Sequence, residues 1–153
     1  MATGMAIGAV ISRLADSSWP ELVCIGAVAG LLPDSDVFLM PLSRNAHRSV
    51  WTHSLSGSAL LSLAWLLILV VALRGAYLPF SDSSAATTSV AVVFIASFAH
   101  AGEDALTFQG CRLLHPITGR RFSGPFRYND IMANAIISLV SLGVMLACLG
   151  AFA

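Results

Sequence analysis

The sequence predicts an all-α fold: a polytopic membrane helical bundle of about five helices, forming one domain over residues 1–153. Two observations carry that prediction. Hydrophobic residues make up 57% of the chain and charged residues 10%, with a mean hydropathy of +0.82, whereas a soluble domain carries about 25% charged residues. The apolar residues also fall in long runs without strand-like alternation. In lipid every backbone N–H and C=O must be paired internally, so runs of this kind are read as helices.

Five apolar segments follow in order. The first, 2–15, and the second, 20–33, are short, with about 13 or 14 residues against the ~20 that a full span needs. The segments at 54–74 (centred on SALLSLAWLLILVVAL), 87–107 (TTSVAVVFIASFAHAGEDALT) and 130–153 (DIMANAIISLVSLGVMLACLGAFA) are long enough to cross. Gly26 and Gly30 have the small-xxx-small spacing that permits close helix approach. Between the segments, 34–53 is polar, 75–86 reads as an ordinary loop, and 108–129 is rich in Gly, Pro and Arg. The zero net charge gives no argument for nucleic acid. Cys24, Cys111 and Cys148 lack metal-type spacing and are expected to be buried thiols rather than a disulfide framework. No Lys or Arg precedes the first apolar stretch, so no signal peptide is expected.

If every segment crosses, the start of the first, the end of the second, the start of the third, the end of the fourth and the start of the fifth share one membrane face. That face collects Arg44, Arg48, Arg112, Arg120, Arg121 and Arg127, and the opposite face holds only Arg13 and Arg74. The excess of basic residues on cytoplasmic loops then turns the crowded face toward the cytoplasm. The expected location is an integral protein of a bacterial inner (cytoplasmic) membrane.

The stretch PDSD, 33–36, stands where the apolar run CIGAVAGLL stops, about a dozen residues before HRSVWTHS. The fourth segment carries His100, Glu103 and Asp104, and titratable groups in a spanning helix by default face the bundle interior or a wet cavity. His100 and Asp104 are four apart and share a helix face, the spacing at which two side chains can grip one ion. Asp34, Asp36, His47 and His53 fall on the same membrane face by the count above. Three imidazoles and three carboxylates therefore converge. Such a set suits a divalent metal, zinc first, as one or two ions, with manganese or iron also tolerated by these ligands. An Asp pair at a helix end taken alone reads as a cap, and a lone histidine as a structural hydrogen-bond partner. Ser54 follows His53, but no GxSxG elbow is present. His115 in the polar loop is expected at an interface rather than in the site.

GLLPDSD, then HRSVWTHSL, then HAGEDALTFQGCRLLHP followed by RRF, resemble the YdjM/LexA-regulated membrane-bound metal-dependent hydrolase family over roughly residues 3–130. The resemblance implies metal ligation by Asp34, Asp36, His47, His53, His100 and Asp104. It also points to Arg48, Thr52 and Thr107. Arg48 is suited to hold a phosphate and Thr52 to support a ligand from outside the first layer. The family commonly has a histidine near the N-terminus, before an Ile-Gly step. Ile7-Gly8 sets that register here, so Gly4 stands where the histidine would be, or Met5 after a one-residue shift.

The motif logic is similar to that of zinc-dependent phospholipase C enzymes. The resemblance therefore implies a membrane-embedded metal-dependent hydrolase that cleaves a phosphoester or related bond, in a lipid or lipid-linked substrate, by metal-activated water. Glu103 is the candidate additional acid or base. Membrane lipid is the expected partner, and the arginine-rich loop 112–127 suits anionic head groups or the anionic leaflet. The alternative is a metal-binding membrane protein without hydrolysis, such as a sensor, a carrier or a structural partner.

Overall fold

The computed structural model describes residues 1–16, 19–39, 49–74 and 83–150. Among these residues it is all-helical, with α1 Ala2–Ala15, α2 Trp19–Ala29, a 3-10 segment Leu32–Leu39, α3 Leu55–Arg74, α4 Ser83–Ala105 and α5 Ile131–Gly150. Three helices are long and apolar enough to cross a membrane, with windows at Leu55–Ala72, Ala86–Ala105 and Ile131–Cys148. The first two apolar segments are shorter. At about 1.5 Å per residue, α1 reaches about 21 Å and α2 about 16 Å, against a hydrocarbon layer of about 30 Å. The expected second segment breaks after Ala29, and PDSD lies in the 3-10 segment beyond the break.

The short helices form a tight pair because their facing residues are small. A Cβ at Gly4 would run into the Gly26 carbonyl, one at Gly26 into the Gly4 carbonyl, and one at Gly8 into the Leu22 carbonyl. Without side chains at these points the backbones touch, and dispersion rather than hydrophobic burial holds the pair in lipid. The small-xxx-small spacing of Gly26 and Gly30 is therefore used, with Gly4 as its counterpart on α1.

α4 is the central helix and packs on α1, α2 and α3. Ala29, Val93 and Ala96 are buried together, with Ile7, Ile25, Leu61 and Trp65 against them. The α4 serines return their hydroxyls to their own helix, Ser89 to the Ala86 carbonyl and Ser97 to the Val93 carbonyl. The Trp65 indole N–H donates to Ser89 Oγ at 2.7 Å, joining α3 to α4. α5 packs chiefly on α1. Most of its apolar side chains are exposed, including Ile131, Met132, Leu139 and Val140, as lipid-facing residues must be.

The polar connection between α4 and α5 folds back on itself. Phe108 N–H donates to the Phe126 carbonyl, and Cys111 and Phe122 exchange backbone hydrogen bonds. Its carbonyls then cap α3: Leu55 N–H donates to Leu113 and Ser56 N–H to His115, which satisfies two of the orphan donors of a helix start. Ser56 Oγ lies 3.1 Å from His115 Nδ1, so His115 serves this interface. The cysteines form no disulfide, as expected, but Cys24 is exposed on α2, and Cys111 is the buried one, its thiol donating to the Ala101 carbonyl at 3.3 Å.

Candidate metal centre

The starts of α1, α3 and α5 and the ends of α2 and α4 meet at one end of the bundle, and cross-element contacts fix this. The Thr3 hydroxyl donates to Glu103 Oε1, linking the start of α1 to the end of α4. His100 Nε2 lies 3.2 Å from Asp34 Oδ1, linking α4 to the 3-10 segment. His53 Nε2 lies 3.2 Å from Asp104 Oδ2, linking the approach to α3 with the end of α4. His53 Nε2 also stands 3.7 Å from Asp34 Oδ1. One ligand atom each from Asp34, His53 and His100 lies within 4.8 Å of the others.

These separations fit a shared ion. Two donors each ~2.0–2.1 Å from a tetrahedral zinc lie about 3.3–3.4 Å apart, and the contacts above run from 3.2 to 3.7 Å. His53 is fully buried, His100 and Asp104 are mostly covered, and the Asp34 side chain is half exposed. The residues present thus fit a divalent ion that is walled on one side and open on the other.

Asp36 has a different place. The resemblance counts it among the ligands, but its carboxylate lies on the other side of the His53 ring, with Oδ2 3.3 Å from Nδ1. The Thr52 hydroxyl donates to the same oxygen at 2.9 Å and lies 2.9 Å from His53 Nδ1. The Ser49 N–H approaches that oxygen at 3.4 Å. With the Thr52 proton given to Asp36, the remaining lone pairs of that hydroxyl accept the Nδ1–H of His53. In the neutral imidazole the proton is then held on Nδ1 and the Nε2 lone pair faces Asp34 and Asp104, the arrangement by which a carboxylate orients a ligating histidine.

The electrostatics follow from this crowding. His100 first, and His53 after it, hold the Asp34 carboxyl well below the usual carboxylate range, against the opposing effect of burial. Burial pulls the His53 imidazole down. The Asp104 and Asp34 carboxylates beside it, with the charges of Asp104 and Asp36, outweigh that pull and raise it to about 9. Without an ion, a proton on His53 offsets part of the carboxylate charge.

The site opens into a cavity of about 720 Å³. Asp34, His100, Glu103 and Asp104 line one part of it, with Thr3, Thr107 and residues of 126–138 around the rest. Thr107 Oγ1 donates to the Asp104 carbonyl at 2.8 Å and so ends α4 just past the donors. His47 and Arg48 lie outside the described residues.

A family model described as YdjM inner membrane protein matches residues 1–152. The chain belongs to the YdjM inner membrane protein family. No curated protein and no solved structure matches it. The three apolar helices agree with an integral inner membrane protein. For this YdjM family member the N-terminal position is decided by packing: a side chain at Gly4 would meet the backbone of Gly26. On α1, Thr3 reaches the candidate site, bonded to Glu103 and 3.2 Å from Ser141 Oγ of α5. The sequence held no signal for that contact, which joins residues a hundred positions apart.

Proposed function

We propose that the chain is a membrane-embedded metal-dependent hydrolase acting on a phosphoester or related bond of a lipid or lipid-linked substrate. The observation that carries this is the meeting of Asp34, His53 and His100, from three separate elements, within 4.8 Å, with Asp34 and His100 in the wall of a 720 Å³ cavity. Asp34, His53, His100 and Asp104 would hold the ion, zinc being the best fit to two imidazoles and two carboxylates. When bound, it would supply a polarised water and positive charge opposite the ester oxygens. Asp36 and Thr52 keep the His53 lone pair aimed at the centre. Glu103 shares the cavity wall and takes the Thr3 hydroxyl, so it is the residue suited to accept or return a proton.

The donor cluster sits at one end of the bundle, the end that also carries Arg112, Arg120, Arg121 and Arg127. The basic excess favours a cytoplasmic position for that end. A reporter fused after α5 would then read the opposite, periplasmic side. A cytoplasmic signal from that fusion would overturn the orientation.

The test is metal content and turnover of long-chain phosphoesters by detergent-purified protein, with Asp104→Ala and His100→Ala as controls. Stoichiometric zinc and turnover lost in both variants are expected. Equal turnover in the variants would refute the hydrolase reading. Zinc without turnover across lipid phosphoesters would favour a non-catalytic metal protein.

A further inference from the structure

The cavity beside the donors has two chemically different parts. Asp34, His100, Glu103 and Asp104 form the polar part. A second part is formed by the first turns of α5, where Ala133, Ile136 and Ile137 stand with Asn134 and Ser138 among them, and by Arg127, Tyr128 and Asp130 just before that helix. α5 packs chiefly on α1, and the groove that the cavity forms between the end of α4 and the start of α5 is lined in part by Met132 and Ile136. Met132, Ile136 and Leu139 are 72%, 57% and 67% exposed. In a membrane these side chains meet hydrocarbon, so the groove meets it too.

Arg127 brings a guanidinium to the cavity lining, with the Asp130 carboxylate three positions on. The first amides of α5 are already taken, because Met132 N–H and Ala133 N–H both donate to Asp130 Oδ1 at 3.1 Å. The helix start therefore offers little to an anion, and the Arg127 guanidinium is the group there that can fork onto phosphate oxygens. A volume of 720 Å³ falls in the usual range for a small-molecule site, about 300–1,000 Å³.

We propose that this groove is a lateral entry for one hydrocarbon chain whose terminal phosphate is drawn between Arg127 and the donor cluster. The chain lies along Ala133, Ile136 and Ile137 and enters sideways from the bilayer. The substrate class is then a phosphate ester directly attached to a long chain, rather than a water-soluble phosphoester. This deepens the hydrolase reading and rests on it for the cleaved bond, but binding alone can test the groove.

The probe is a long-chain alkyl phosphate bearing a nitroxide on the chain, with the matching alcohol as its uncharged control. Each is added to the full chain in nanodiscs of zwitterionic lipid, with and without zinc, and the immobilised spectral fraction is read. The phosphate probe is expected to be immobilised, and the alcohol about ten- to a hundredfold less, the range for a lost charge-assisted hydrogen bond. Ala133→Trp should remove most of the immobilised signal, and without zinc Arg127→Gln should bring the phosphate probe down to the alcohol. Leu67→Trp, on the exposed face of α3, should change nothing. Ile137→Trp repeats the block at a second point in case Ala133→Trp elutes as aggregate.

Equal immobilisation in both blocked variants would overturn the proposal, as would equal immobilisation of phosphate and alcohol. So would disulfide cross-linking of an Ile136→Cys variant into a dimer that excludes the probe, since a second copy would then be the occupant. Immobilisation as expected with no turnover of any ester would sink the hydrolase reading and leave the groove standing. Turnover with no effect of the blocks would do the reverse.

Discussion

Asp36 separates two accounts of the donor cluster, and Asp36→Asn tests them. The carboxylate is 1% exposed and touches His53 Nδ1, the Thr52 hydroxyl and the Ser49 N–H through one oxygen. Asparagine keeps the shape and an accepting oxygen but loses the charge. An outer partner of a ligating histidine typically contributes 10–100-fold to metal affinity, which is about 1.4–2.7 kcal/mol. Removing a direct donor should weaken binding further, so His100→Ala is the yardstick. Zinc affinity of the detergent-purified protein, read by competition with a chromogenic chelator, should fall by about one to two decades in Asp36→Asn and by more in His100→Ala. If the two variants lose equal affinity, Asp36 is itself a ligand and the orienting role assigned to it is wrong. If Asp36→Asn binds as the parent does, the contact with Nδ1 is of no consequence to the ion.

Two further predictions concern the scaffold. Gly4→Ala forces a methyl group into the Gly26 carbonyl and should cost about 1–3 kcal/mol, seen as a lower melting temperature in detergent. Gly102→Ala, where a Cβ meets nothing within 4 Å, should be neutral or stabilising by up to about 1 kcal/mol. The reverse order would refute the backbone contact between α1 and α2. Ser89→Ala leaves the Trp65 indole without its 2.7 Å acceptor and should cost about 1 kcal/mol, the scale of interhelical hydrogen bonds in membranes. An unchanged melt would remove that bond from the account of α3–α4 packing.

The long helices were legible because runs such as SALLSLAWLLILVVAL admit one backbone solution in lipid. The meeting of Asp34, His53, His100 and Asp104 was legible by counting ends: antiparallel neighbours bring the end of one helix beside the start of the next. Three features were not. The two aspartates of PDSD were read as equivalent, but a 3-10 turn advances about 120° per residue, so residues two apart diverge. That sends Asp34 toward His100 and Asp36 toward Nδ1 of His53. The groove along Ala133, Ile136 and Ile137 was hidden because these side chains are as apolar as the lipid-facing ones of α5, and composition cannot separate the two. Gly4 stands where the family's histidine would be, and its close approach to Gly26 is a tertiary fact that a single sequence does not carry.

The pH dependence follows from the same crowding, and its sign can be worked out. In the metal-free protein the His53 pKa is raised from its ordinary 6.5 to about 9. A raised histidine stabilises the fold fully below the unfolded value and loses that contribution as pH rises through the folded one. The metal-free protein should therefore weaken between about pH 6.5 and 9. Asp34 is shifted the other way, so its contribution is present above the ordinary carboxylate range and is lost only on acidification. An ion needs the Nε2 lone pair and must displace the His53 proton, so its apparent affinity should climb about tenfold per pH unit below 9 and then level off. The two trends reinforce each other: the rise in melting temperature on adding a fixed excess of zinc should grow steadily from pH 6.5 to 8.5. His53→Gln should abolish both the shift and its slope. A zinc-induced shift that is flat or shrinking over this range would mean that the ion does not compete for that nitrogen, and the centre would have to be rebuilt without His53.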